Sequence, residues 1–553
     1  KPRRTTGSSL RRGALSLAVE WDVGGGGGWG FEAGADWWYG FEYVREAERG
    51  LDCHEDLFCP GVLSATLPSF PGVTGDDLEH SVELAVTGWS REGVGSGAVR
   101  PKLSAPTACR AASKARIAAI VAGTLKGREK WSGAAREAAG MLAVAGDQFV
   151  VRREGGGRGQ IVKAANGQMV KSEGSAWESV IAGYPWFGDW GRDTMISLPG
   201  LFLATRRYAE AKRVLETFAG LLRKGIVPNC FDDATGEALY NTVDGSLWYL
   251  HAACEYLKRS GDRAGFDGVI RGACLSIVEH YQKGTEYGIR VDTDGLIMAG
   301  DPSVALTWMD AKRDGVVFTA RTGKPVEIQG LWYSGLMEVA EAIEGSDGPR
   351  AKELRTAAAL CGKSLATKYW DSARLCLYDN LSAEGLGGWH ADTAVRPNQI
   401  FAVSQPHSAL SVEQQRAVVA CVRDRLLTPM GVRTLDPRDS RYVGRYRGTL
   451  QERDRAYHNG TAWPWLVGAY VRALLRSAED NVSARGAARE EARGVLAPLV
   501  ASMSTGNGIG SIPEVFDGEA GGNGGQRADG CMAQAWSVAE VLEAMVEAEG
   551  TGH

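Results

Sequence analysis

Between residues 190 and 548, apolar side chains recur at three- and four-residue spacing, separated by long loops rather than by strand-like alternation. Tyr208, Ala211, Leu215, Phe218 and Leu222 form one stripe. Ile328, Leu331, Trp332, Leu336, Val339 and Ile343 form another, with Pro325 near a helix N-terminus, where its missing N–H leaves nothing unpaired. Trp536, Val538, Val541, Leu542 and Met545 close the series. About ten to twelve helices can be counted this way. Loops carrying Trp, Asp and Glu precede roughly every second helix. The alternation of strand and helix that a TIM barrel or Rossmann sheet needs is missing. The pattern predicts a mainly α fold, a toroid of paired helices with its chemistry in the loops that lead into them.

Upstream the texture differs. Ala14–Val23 and Ser81–Thr87 alternate as strands, with Gly and Pro clusters between them, which predicts a small or truncated antiparallel β domain. Ser113 to about Val144 is Ala-rich and helical, a connector. The polar stretch from Gly155 to Gly174 reads as a hairpin or loop.

Composition narrows the partners. With 62 Lys+Arg against 67 Asp+Glu, the net charge of −5 argues against nucleic acid or an anionic membrane. No apolar run approaches the roughly 18 residues of a membrane span. The apolar stretch behind the basic start, Ala14–Val19, is too short for a signal-peptide core, so a cytoplasmic location is expected. The chain opens at Lys1 without a Met, as a fragment or a misplaced start would. Its 10 Cys contain no C-x-x-C pair and read as reduced, mostly buried thiols. The 8 His lack zinc-ligand spacing, so no metal and no cofactor is expected. Gly24–Gly28 and Gly506–Gly510 lack a P-loop Lys and read as turns, and no G-x-S-x-G elbow occurs.

The 17 Trp are the first functional signal, because many lie beside carboxylates. The densest cluster is Gly183-Tyr-Pro-Trp-Phe-Gly-Asp-Trp-Gly-Arg-Asp-Thr194, just before the apolar run Met195–Leu203. A helix there would place Asp193 at its N-cap. Taken alone, the cluster could be packing, with Arg192 paired to Asp189. Its functional reading is a sugar site, in which flat aromatic faces stack on sugar rings and Asp and Arg bond hydroxyls. Similar mixtures recur at Tyr240-Asn-Thr-Val-Asp244, Thr307-Trp-Met-Asp310 with Lys312, Glu327-Ile-Gln329, Arg396-Pro-Asn-Gln399, Tyr457-His-Asn-Gly-Thr-Ala-Trp-Pro-Trp465, and Ser511-Ile-Pro-Glu514 with Asp517. Carboxylates among aromatics suit glycosidic chemistry, where a protonated acid and an ionised base flank the bond.

These motifs, in this order, together with Arg453-Asp-Arg-Ala-Tyr-His-Asn-Gly-Thr461, Glu514-Val-Phe-Asp-Gly518 and Cys531-Met-Ala-Gln-Ala-Trp-Ser537, resemble the glucosidase domain of glycogen debranching enzymes, the amylo-α-1,6-glucosidase family in its bacterial and archaeal arrangement. The stretch Glu48–Phe58 is similar to the end of that family's N-terminal β-sandwich. The resemblance implies a mainly α architecture: an (α/α)6 barrel over 146–553, a helical connector over 113–145, and a truncated N-terminal β-sandwich domain over 1–112. It implies release of the single α-1,6-linked glucose at a trimmed branch of glycogen (a limit dextrin), with inversion. Asp310 matches the general acid and Glu514 the general base, with Asp517 the rival base. Arg192 and Asp193 match the pair that grips glucose hydroxyls; Trp186, Asp189, Trp308, Lys312, Gln399 and His458 are further candidates to line the pocket.

Inversion requires the two carboxyls roughly 6.5–9.5 Å apart and an acid whose pKa is raised. Asp310, beside Trp308 and Met309, is expected to be raised by desolvation. Two departures from the family stand out. The segment from Glu519 to Gly530 is unusually Gly-rich, which puts acceptor-side contacts in question, and the N-terminal domain is short. No βα pattern provides the TIM barrel of the two-activity eukaryotic enzyme, so transferase activity is not expected. The alternatives are a glucoamylase- or trehalase-like inverting glucosidase and a non-catalytic glucan-binding protein.

Overall fold

The computed structural model describes residues 15–23, 29–49, 53–65, 82–90, 106–153, 161–163, 169–171, 177–231, 237–300, 303–384, 388–506, 508–521 and 524–550. The chain divides into two compact units, Lys1–Ala119 and Ile120–His553.

In the first unit, β1 (Leu15–Val23) pairs antiparallel with β4 (Val82–Ser90) in unbroken register. These are the two segments whose alternation reads as strands. A second ladder joins β2 (Trp29–Glu42) to β3 (His54–Ala65), with register shifts between Ala33 and Asp36 and between Trp38 and Phe41. The short helix α1 (Val44–Arg49) links β2 to β3. Within the family-like stretch 48–58, residues 50–52 lie outside the described residues.

α2 (Pro106–Leu125) runs across the division. The second unit then holds α3 (Gly133–Asp147), α4 (Gly191–Leu198), α5 (Tyr208–Gly220), α6 (Gly245–Ser260), the single turn α7 (Arg263–Gly265), α8 (Arg271–Lys283), α9 (Val326–Ile343), α10 (Gly348–Lys368), α11 (Phe401–Ser404), α12 (Val412–Arg425), α13 (Leu450–Tyr457), α14 (Trp465–Arg476), α15 (Val482–Thr505) and α16 (Ala535–Glu549). No helix among the described residues is long and apolar enough to cross a membrane. Within the polar 155–174 stretch, Ile161–Lys163 pairs antiparallel with Met169–Lys171.

Burial sorts the helices into two sets. Every residue of α4 and α11 is buried, as are Trp465–Leu474 of α14 and Ala535–Val546 of α16. α9 buries both its apolar residues and Glu327, Gln329 and Glu338. Such helices can only be interior. α6 is buried from Gly245 to Tyr256 save His251, whereas others bury a single stripe, for example Ala211, Val214, Leu215 and Phe218 on α5, or Ala488, Ala492, Leu496, Leu499 and Met503 on α15. Contacts follow this division. The interior helices touch in the order α4, α6, α9, α11, α14, α16, and α16 returns to α4, closing a ring. α3, α5, α8, α10, α12 and α15 alternate with them in sequence and cover them: α3 and α15 on α16, α5 on α6, α8 on α6 and α9, α10 on α9, α12 on α14. α3, in the stretch expected to be a connector, thus belongs to the outer set.

The segments leading into the ring helices are stitched to one another. Trp177–Tyr184 pairs with Phe187–Asp189, just before α4, and with Ala533–Gln534, just before α16, so the two ends of the ring start side by side. A five-stranded antiparallel sheet joins Leu427–Thr428, Gly431–Arg433, Ala462–Trp463, Val515–Phe516 and Ala528–Asp529. The loops rich in Trp, Asp and Glu therefore converge.

Candidate functional site

Arg192 lies in the first turn of α4 and is 2% exposed. Its Nε donates to Asp244 Oδ1 at 2.8 Å and its Nη1 to Asp310 Oδ2 at 2.8 Å. Nη2 reaches Thr242 Oγ1 and the Leu306 carbonyl at 3.4 and 3.5 Å. Asp244 directly precedes α6 and has no exposed surface; Thr242 donates to it and accepts from the Gly245 N–H, tying off the start of that helix. The Tyr240–Asp244 motif thus anchors the inner side of Arg192, and Asp189 is not its partner. Asp310 differs from Asp244 in one respect: 27% of its side chain is exposed. It is the open end of a buried charge network.

Asp193 does not cap α4. Trp190 holds the N-cap position and Asp193 stands in the first turn, where its carboxylate faces inward, 5% exposed. Burial, reinforced by the charges of Asp310 and Glu514 and opposed by Arg192, pushes its carboxyl up to about 8. Three carboxyls from α4, the 306–310 loop and the 511–514 segment therefore share one electrostatic site.

The expectation for Asp310 is reversed. Its pKa lies below the ordinary value: burial alone would raise it, but His458 and the Arg192 guanidinium stabilise the charged form by more. His458 closes the C-terminal end of α13 with Nε2 3.8 Å from Asp310 Oδ1. The imidazole is 1% exposed and stacks on Trp463 (centroids 5.3 Å apart, planes 18°) with the edge of Trp308 against it at 5.2 Å. Burial pushes its pKa down, so it is neutral at neutral pH.

Glu514 is 1% exposed. Oε1 accepts from the Tyr457 hydroxyl and Oε2 from the Cys531 N–H at 2.9 Å. Gly530, at φ +68°, sits where a Cβ would collide with Oε2, so the carboxylate's seat needs a glycine there. The rival Asp517 is occupied otherwise: Oδ1 accepts from the Tyr446 N–H at 2.9 Å and Oδ2 from Arg447 at 2.8 Å.

The remaining candidates separate. Trp308 is a wall beneath the site rather than an exposed platform, 2% exposed, its Nε1 donating to Asn398 Oδ1 at 2.8 Å. Gln399 is spent on the backbone, accepting from Leu377 N–H and donating to the Arg396 carbonyl, and does not join the carboxyl cluster. Lys312 is exposed on the short hairpin after Asp310 and donates to the Ser303 carbonyl at 2.8 Å, also outside the cluster. Asp189 is buried at the strand end before α4, and Trp186 is half-buried three residues ahead of it. In the Gly-rich segment, where 522 and 523 lie outside the described residues, Gln526 fastens the loop by donating to the Asp517 carbonyl at 2.7 Å and to Thr428 Oγ1 at 3.1 Å. Asp244, Tyr457, Gly530 and Cys531 join the site without having stood out as candidates in the sequence. Three of them lie inside motifs that the sequence singles out, but only the fold shows which members of a motif face the cluster.

Comparison with known proteins gives two family matches and a relative. The profile described as "Amylo-alpha-1,6-glucosidase" matches residues 144–543, and "Glycogen debranching enzyme N terminal" matches residues 8–74. The glycogen debranching enzyme of Saccharomyces cerevisiae is 26% identical over 386 residues, which cover 54% of this chain and 25% of the yeast protein.

Proposed function

The chain belongs to the amylo-alpha-1,6-glucosidase family, and from that premise we propose that it is an inverting glycoside hydrolase that releases glucose from the α-1,6 branch points of trimmed glycogen. The observation that carries this reading is the pairing of Asp310, partly open and held by Arg192, with Glu514, buried and held by two donors, beside the same Asp193. Two carboxyls in such different settings are what acid and base roles demand. In this reading the six-membered ring and its outer helices form an (α/α)6 barrel, and the N-terminal ladders are part of the family's β-sandwich.

Glu514, ionised, takes a proton from the water that attacks the anomeric carbon. Asp310 gives its proton to the departing glycosidic oxygen, so the pair ends the turnover with the proton moved from Asp310 to Glu514. Arg192 holds Asp310 ionised. Glucose hydroxyls that bond Arg192 draw the guanidinium away from Asp310 and let it take up a proton, which makes the acid dependent on substrate. The basic limb of the kcat profile, which reports the bound enzyme, then lies at higher pH than that of kcat/KM, which reports the free enzyme. Coincident limbs would show that the sugar leaves Asp310 unchanged.

The test is proton NMR of the sugar released from phosphorylase-trimmed glycogen. Glucose appearing first as the β-anomer, and lost in Asp310→Asn and Glu514→Gln, supports the reading. The α-anomer overturns inversion. Activity on maltose or trehalose instead would favour a glucoamylase- or trehalase-like enzyme, and no product from folded protein a glucan-binding protein.

A further inference from the structure

Tyr457 and His458 are neighbours in sequence, yet one reaches Glu514 and the other Asp310. Their backbone is clamped. α13 opens with a capping box between Thr449 and Glu452 and ends at Tyr457, with His458 as its C-cap. Arg396 donates to the His458 carbonyl at 2.7 Å and to Asn459 Oδ1 at 2.8 Å. Thr461 Oγ1 and Trp463 Nε1 both donate to the Tyr457 carbonyl, at 2.6 and 3.0 Å. The phenol ring packs against Tyr446, His458 and Trp463, with centroids 5.5, 4.8 and 4.9 Å away. A tyrosine fixed this firmly by backbone and ring contacts delivers its hydroxyl to one place, and that place is Glu514 Oε1.

We propose that Tyr457 is a positioning residue for the hydrolysis, holding Glu514 ionised and in a single orientation so that it can act as the base. This rests on the reading of Glu514 given above. A carboxylate that is 1% exposed is driven by burial toward its neutral form, in which it can take no proton from water. Hydrogen bonds donated to the charged form work against that, and here they come to both oxygens, from the Tyr457 hydroxyl and the Cys531 N–H. Titratable groups near Glu514 include Asp193 on α4, Asp310, His458 beside Tyr457, Asp529 on the paired strand with Arg453 of α13 acting on it, and Asp517 three residues on, held by Arg447. The carboxyls among them work against a further negative charge at Glu514, and the phenol's hydrogen bond works for it.

The test is Tyr457→Phe in the full chain, which keeps the ring contacts and removes the donor. The expected result is kcat lowered about ten- to a hundredfold with KM nearly unchanged, and the acidic limb of kcat/KM moved upward by about one pH unit, because Glu514 without the phenol binds its proton more tightly. A purely structural tyrosine would lower the melting temperature and leave the limb in place, and that outcome overturns the proposal. 3-Fluorotyrosine placed at 457 supplies a second variant: its more acidic phenol is a stronger donor, so the limb should move downward, and an unmoved limb counts against the proposal. Carbon-13 NMR of Glu-labelled protein, with the Glu514 signal assigned by Glu514→Gln, reads the same shift without turnover. If wild-type protein releases no glucose, the hydrolase reading falls. The NMR titration then still decides whether Tyr457 sets the charge of Glu514, and an unshifted signal in Tyr457→Phe overturns that coupling.

Discussion

Two buried arginines in the ring unit each hold two carboxylates, and they differ in how far the carboxylates reach solvent. Arg321 bonds Glu327 and Asp379, and all three side chains are at most 2% exposed. Arg192 bonds Asp244 and Asp310, and there the last carboxylate is 27% exposed. The two clusters lie on one chain of contacts: Asp379 accepts from Asn398, Asn398 accepts from Trp308, and Trp308 packs on His458 next to Asp310. A closed network can only hold the fold together. An open one, backed by the same scaffold, presents a charge that a substrate can reach. In the reading proposed above, chemistry is placed where the buried network ends.

If that contrast holds, Asp310→Asn abolishes turnover, by roughly 10³-fold or more, which corresponds to about 4 kcal/mol of transition-state stabilisation. The melting temperature should move little, since the lost group was partly solvated. A variant that retains a tenth of the rate, measured by glucose release, would remove Asp310 from the acid role. The same surgery at the closed cluster should do the opposite. Arg321→Met leaves Glu327 buried without its cation, and Asp379 with only Arg396 at 3.8 Å, and should destabilise the fold by about 3–5 kcal/mol. Denaturant unfolding checks this, and a stable, inactive Arg321→Met protein would mean that the two clusters are not different in kind.

The same contrast explains what could be read in the sequence. Stripes at helical spacing mark the outer helices well, as on α5, because one face of such a helix meets solvent. For α9 and α16, apolar periodicity understates burial, since carboxylates such as Glu540 and Glu543 lie inside, paired with Arg472 and Arg259. Clusters of aromatics and carboxylates marked loops that the fold brings together, because those residue types are rare together. Composition could not separate Asp310 from Asp379, or Gln399 from His458, because the distinction lies in which member of each motif ends the network and which continues it. Nor could it anticipate that Arg192 depresses Asp310, a consequence of a contact spanning 118 residues of sequence.

Asp193 sharpens the comparison through pH. Its carboxyl, at about 8 in the fold against an ordinary value near 4, stays protonated while the unfolded chain ionises. Native stability from this group is therefore fully present below about pH 4 and is lost as pH rises toward 8. Asp193→Asn keeps the shape without the titration. It should match wild type at pH 4 and exceed it at pH 8 by roughly 1–3 kcal/mol, even as sugar binding weakens. Thermal melts across that range suffice, and a constant gap would show that Asp193 is ionised in the fold.

The smallest effect is expected at Lys312, and it tests the boundary of the site. This lysine follows Asp310 by two residues and belongs to the motif of the proposed acid, yet its ammonium reaches out to the Ser303 carbonyl on the exposed side of the hairpin. An exposed hydrogen bond of this kind contributes little, so Lys312→Ala should change stability by less than about 0.5 kcal/mol and KM by less than about twofold. Arg313, the next residue, pairs with Asp454 on α13 and so ties the Asp310 hairpin to the helix that carries Tyr457 and His458. Arg313→Ala should therefore disturb kcat more than Lys312→Ala does. The reverse order, with KM for trimmed glycogen rising tenfold in Lys312→Ala alone, would mean that the hairpin turns over when glucan binds and brings the lysine to the sugar.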